Sequence, residues 1–150
     1  MAESWSLPTF RAGARPIPAD MRAVWRIAVL VLMLAKCRAR TASIKQLHIL
    51  NWALRNPNAW PAFQRAYIGK PHPEDATLRF DPTLDRTIDR AIGDRLVEWT
   101  ANGRLRLTSD GDVFGELLHK SELLVEPREL LASVPGLFTQ ARFEQIAAQI

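Results

Sequence analysis

The sequence predicts a mainly α-helical domain carrying one small β-hairpin, and three observations predict it. Apolar residues recur at helical spacing in three stretches, near residues 21–37, 43–55 and 82–96. An Asn102-Gly103 pair stands between two short β-prone runs. Proline, Asn-Pro and Pro-Gly breaks punctuate the chain between these stretches. At 150 residues, 47% hydrophobic and 24% charged, the chain fits one domain with an unstapled core. A single cysteine, Cys37, rules out an intramolecular disulfide framework and suits a reducing cytosol.

The elements follow in order. Residues 1–19 read as an arm, rich in proline and without apolar period, which Trp5 and Phe10 could pin elsewhere. Asp20 is the expected N-cap of a first helix over about 21–37. From Ile27 to Ala35 this helix has no polar residue, so its middle is apolar on every side. Such a helix is either central in its domain or covered by a partner, and the expectation is that its own domain covers it only partly and another chain buries the rest. The arginines ahead of it (Arg11, Arg15, Arg22, Arg26) resemble the start of an export signal. Three details weigh against export. The run has nine residues, against the roughly 18–20 of a membrane span. Lys36 precedes Cys37, where a lipoprotein site needs a small residue, and Glu3, Asp20 and three prolines interrupt the leader. The expectation is a buried helix in a cytoplasmic protein with no membrane segment.

Ser43 and Gln46 form a capping-box pattern at the head of a second helix, whose buried stripe is Ile44, Leu47, Leu50 and Leu54. Asn56-Pro57 ends it. A short helix is expected at 61–67, leaving Trp60 in a loop beside prolines, and residues 69–76 read as a loop. Asp81-Pro82 opens the next helix, with Leu84, Ile88, Ala91, Ile92 and Leu96 on one face. The hairpin spans 97–107, turning at Asn102-Gly103 because both residues tolerate positive φ. Gly111 is expected to release the chain into a helix near 112–120. Further helical segments are expected at 121–134, around Pro127, and from about 139 to 150.

The stretch from Asp94 to Gly111, with Arg95-Leu96-Val97-Glu98-Trp99 and then Arg104-Leu105-Arg106-Leu107-Thr108, resembles the wing segment of winged helix-turn-helix proteins. The resemblance implies a winged-helix domain over 20–120, followed by a C-terminal helical extension over 121–150. A narrower likeness covers residues 24–111. The run 30–34, the turn Arg38-Ala39-Arg40-Thr41-Ala42-Ser43 and the segment 47–55 resemble the small middle component of bacterial ABC-three-component systems, Lamassu-type defence complexes among them. That likeness implies a non-catalytic subunit docking on a large ABC/SMC-like P-loop ATPase in anti-phage or anti-plasmid defence. It brings no catalytic residues.

The residues themselves agree with a binding role. His48, His72 and His119 do not converge in sequence, and with one Cys there is no metal-ligand spacing. Gly-rich phosphate loops and nucleophile elbows are absent from the sequence. Asp81, Asp85, Asp89 and Asp94 recur at helical spacing beside Arg86 and Arg90, the pattern of a solvated face. No catalytic residue, metal or cofactor is expected.

The pI near 9.8 suggests nucleic acid, but the charge distribution qualifies it. Residues 1–56 hold nine Lys/Arg against two Asp/Glu; residues 57–150 hold eleven against fourteen. The helix that would enter a DNA groove, together with the hairpin (81–107), carries five acids and five arginines. Duplex binding is therefore expected to be weak and non-specific. Lys36, Arg38, Arg40 and Lys45, around the turn between the first two helices, are the expected phosphate or nucleic-acid contacts. The alternative function is a winged-helix transcriptional regulator. Trp25, Val29 and Leu32 on the first helix, with Trp60, are the expected contacts to an ATPase or to a second copy of the chain.

Overall fold

The computed structural model describes residues 19–56, 58–73, 75 and 79–149. The expected arm lies outside the described residues except at Ala19, which is already helical; Pro57 lies outside them too. Among the described residues there are seven α-helices and one three-stranded antiparallel sheet. The order is α1 (Ala19–Lys36), β1 (Thr41–Ala42), α2 (Ile44–Arg55), α3 (Ala59–Tyr67), α4 (Thr83–Gly93), β2 (Val97–Trp99), β3 (Leu105–Leu107), α5 (Ser109–Lys120), α6 (Val125–Ala132) and α7 (Gln140–Gln149). A tight 3-10 turn, Arg38–Arg40, joins α1 to β1.

α1 is the centre. Every residue from 27 to 34 is buried, because α2, α4, α5, α6 and β3 all pack on it. This corrects the expectation that another chain completes its cover. Val29 is 8% exposed and Leu32 2%, so both are core residues and not an uncovered face. The covering elements α5 and α6 come from beyond residue 108 and return across the face that α2 and α4 leave open. Asp20 lies inside α1 and not at its N-cap.

Asp81 fastens three helices together. Its carboxylate pairs with Arg26 of α1 at 3.3 Å and with Arg55 of α2. It also accepts from the Thr83 backbone N–H at 2.9 Å, capping α4 as Asp81-Pro82 predicts. The Ser43/Gln46 capping box forms as read. α3 begins at Ala59, two residues earlier than expected, and takes Trp60 with it; at 5% exposure Trp60 is a core residue and not an exposed anchor. Pro61 is accommodated because it sits in the first turn, where its missing N–H has no intrahelical partner anyway.

β3 is the middle strand, in the order β1-β3-β2. Leu105 and Leu107 face the core, while Arg106 faces out and pairs with its cross-strand neighbour Glu98 at 2.9 Å. The hairpin is present, but its turn differs from the expected one. Gly103 N–H bonds Thr100 O at 3.0 Å, Thr100 N–H bonds Arg104 O at 2.7 Å, and Gly103 alone takes positive φ (77°). The result is a three-residue loop, a turn followed by a left-handed glycine. Strand β1 was not expected at all; it pairs Thr41 with Arg106 and Ala42 with Leu105.

The C-terminal segment contributes to the same core through Leu124, Leu131, Val134, Phe138, Phe143 and Ile146. Phe138 meets Phe63 and Tyr67 edge-on, each at 5.8 Å, and Phe143 at 5.4 Å.

Gly111 falls inside α5, which starts at Ser109 under a Thr108 cap, and not ahead of the helix as expected. The reason for a glycine is space. A Cβ there would stand 2.2 Å from Leu96 O and 2.9 Å from Leu107 Cδ2, whereas one on Gly115 would meet Val31 Cγ1 at 3.4 Å. Gly111→Ala should therefore destabilise the domain by at least about 2 kcal/mol, since backbone blocks relief of the overlap. Gly115→Ala should be neutral or stabilising by up to about 1 kcal/mol, the helix-propensity gain. Urea denaturation of the two variants checks the contrast.

Candidate functional site

The turn after α1 is the most unusual piece of backbone. Ala39 and Arg40 both take positive φ (57° and 52°), a region that costs a non-glycine residue roughly 1–2 kcal/mol. Several bonds hold it. Arg38 N–H donates to Phe138 O at 2.8 Å and Phe138 N–H to Lys36 O at 3.0 Å, which clamps the turn to the chain entering α7. Thr41 Oγ1 donates to Ala39 O at 2.8 Å.

The four expected cations do not act together. Lys36 Nζ donates to Val134 O at 2.7 Å, on the side facing α6, and partial burial lowers its pKa. Arg40 pairs with Asp112 of α5 at 2.6 Å. Lys45 is exposed on α2 and lines a neighbouring groove with Glu144. Arg38 alone faces the cleft beside the turn.

That cleft, of about 560 Å³, lies between the turn, the tip of the hairpin and the start of α7. Its wall includes Arg38, Arg104, Arg106, Asn102 and Gln140, and no Asp or Glu. Arg104 is the residue that sequence reasoning missed. Its guanidinium donates to Gln46 Oε1 at 3.1 Å and to Gln140 Oε1, both uncharged, and its Nε is buried without a partner. Gln46 Oε1 also accepts from Ser43 N–H at 2.8 Å as part of the capping box. Cys37 lies against the same cleft with its thiol pushed up to about 12 by burial, partly offset by the Arg104 charge. It is an inert core thiol at neutral pH.

Two further surfaces carry information. On α4, Leu84, Ile88 and Ala91 turn inward, while Asp85, Arg86, Asp89 and Arg90 are all exposed, leaving that face neutral. At the start of α1, Val24 and Trp25 are 51% and 46% exposed. Trp25 lines a groove of about 310 Å³ with Val29, Leu54, Arg55, Glu126 and Pro127. Of the four expected partner contacts, Trp25 is about half exposed, Val29 reaches the floor of the same groove, and Leu32 and Trp60 are core residues. Among the described residues no group of three or more His, Cys, Asp or Glu is arranged to hold a metal, and no helix is long and apolar enough to cross a membrane. No protein-family model, curated protein or solved structure matches the chain.

His48 is buried on α2, stacked at 4.4 Å on the half-exposed ring of Phe80, with Nδ1 unpartnered and Nε2 3.9 Å from Asp85. Burial lowers its pKa below 6.5, and Asp85 opposes that shift. The folded state thus favours the neutral ring, so its contribution is complete above pH 6.5 and is lost as pH falls through the lowered value. Thermal melts from pH 7.5 down to 5 should show a decline that His48→Gln flattens. A wild-type melting temperature unchanged over that range would contradict it.

Proposed function

We propose that the chain is a winged-helix domain acting as a non-catalytic accessory subunit, docked on a large ABC/SMC-like ATPase of a bacterial anti-phage or anti-plasmid complex in the cytoplasm. The winged-helix reading is supported by the strand pairing. β1, between the first two helices, adds to the hairpin in the order β1-β3-β2, and α4 packs on α1 directly before the hairpin. The choice of ATPase rests on the likeness of residues 24–111 to the middle components of three-component systems.

One observation favours a protein partner over an operator sequence. The outward face of α4, which would have to enter a major groove, alternates Asp85, Arg86, Asp89 and Arg90. Phosphate contact supplies most of the affinity for duplex DNA, and a neutral face with two carboxylates gains little of it. Exposed apolar side chains are scattered over several elements, Trp99 and Leu117 among them, but Trp25, next to the exposed Val24, also lines a groove, together with Pro127. A tryptophan in a shallow groove ringed by one arginine and one glutamate is chemistry suited to a protein hot spot.

The full chain, tagged and recovered from its own host, should bring down a P-loop ATPase identified by mass spectrometry. Trp25→Asp should cut that recovery at least tenfold while leaving the chain folded, at a cost of about 1–2 kcal/mol because the ring is only about half exposed. Arg86→Ala should leave recovery intact. Recovery of the ATPase that Trp25→Asp does not reduce would move the docking face elsewhere. A tight complex with one duplex sequence that survives 200 mM salt, with no ATPase recovered, would replace the reading with a transcriptional regulator.

A further inference from the structure

We propose that the cleft bounded by Arg38, Arg104 and the start of α7 is a binding site for a small phosphorylated ligand of about the size of a mononucleotide. The inference stands apart from ATPase docking, which uses the opposite requirement, an apolar groove.

Charge gives the first argument. Arg106 is matched by Glu98, and Arg40, just outside, by Asp112. Among the described residues, no carboxylate pairs with Arg38 or Arg104, and the Arg104 guanidinium donates to the amide oxygens of Gln46 and Gln140. The cleft therefore holds two uncompensated guanidinium groups and no acid in its wall. Guanidinium is the side chain best matched to phosphate oxygens, which it can meet with two parallel bonds.

Backbone gives the second. α7 opens into the cleft, and Thr139, Gln140 and Ala141 form part of its wall. The first N–H groups of a helix have no carbonyl within the helix and carry the positive end of its dipole. Gln140 and Ala141, the first residues of that helix, line the cleft together with Arg38. The clamp between Arg38 N–H and Phe138 O, and the left-handed pair Ala39-Arg40, hold this edge in shape before any ligand arrives. Preorganisation of that kind lowers the cost of binding.

Size and surroundings select the ligand class. A volume of about 560 Å³ lies within the usual range for small-molecule sites. Thr100, Asn102 and Gln46 offer amide and hydroxyl groups that donate and accept, as a sugar or base edge requires. A long polyanion is disfavoured, because α5 places the Asp112 carboxylate on Arg40 just outside the cleft.

The test is titration of the full chain with AMP, with inorganic phosphate and with a short DNA duplex, followed by calorimetry and amide chemical shifts. AMP should bind saturably, moving the amides of Arg38, Asn102, Arg104 and Ala141, and phosphate should compete with it more weakly. Arg38→Glu should weaken AMP at least tenfold without changing the melting temperature, because the Arg38 side chain is exposed. Arg104→Lys keeps the charge but loses the fork, and should weaken AMP several-fold. Lys45→Glu, outside the cleft, should change it less than twofold. The proposal fails if AMP does not saturate, if Arg38→Glu leaves its affinity unchanged, or if the duplex alone binds in an Arg38-dependent way.

Discussion

A helix with eight consecutive buried residues, 27–34, has no face it can leave in water, and the rest of the molecule is arranged by that fact. Each large aliphatic side chain in the run contributes about 1.5–3 kcal/mol only when covered. An ordinary two-layer arrangement covers one side of a helix. Here α2 and α4 take part of the circumference and α5, α6 and β3 take the remainder. The close approach of α5 requires Gly111 against Leu96 and Leu107, whereas Gly115, which faces Val31, has room for a methyl group. The Asp81 cluster with Arg26 and Arg55 sits at the edge of the same packing and sets where α4 starts relative to α1 and α2.

Local signals in the sequence were read well because their physics is local. The Ser43/Gln46 capping box, the Asp81-Pro82 helix start and the apolar stripe of α4 all involve residues a few positions apart. Gly103 marked the hairpin, although the loop is one residue longer than Asn-Gly alone implies. Failures came where distance along the chain mattered. Nothing in a two-residue strand reveals a period, so β1 was invisible until its pairing with β3 was known. Trp60 looked exposed because prolines flank it, but a proline in a first helical turn is no barrier to burial. The cover of α1 could not be assigned because the segments providing it lie some 80 residues away.

The same rule explains the candidate site. Arg38 was legible as part of a basic turn. The loss of Lys36 and Arg40 from that set was not, since Val134 and Asp112 reach them only through the tertiary fold. Arg104 was missed for a related reason. It stands next to Arg38 only because Ala42 pairs with Leu105, which carries the hairpin edge to the head of α2. A cluster of charges in sequence was thus a poor guide to a cluster in space. What remains after the ion pairs are subtracted is a smaller set of cations, two of them facing one cleft.

The central position of α1 also bears on how the chain is made. Synthesis runs from the N-terminus, so residues 27–34 leave the ribosome about 100 residues before α6 is complete. At roughly 5–20 residues per second, that interval is on the order of 5–20 s. Throughout it the most apolar segment of the protein can be only partly shielded, by α2 and α4 but not by α5 and α6. A nascent chain in that state offers a binding site to chaperones and to neighbouring copies of itself, and it buries that site only as the last helices arrive.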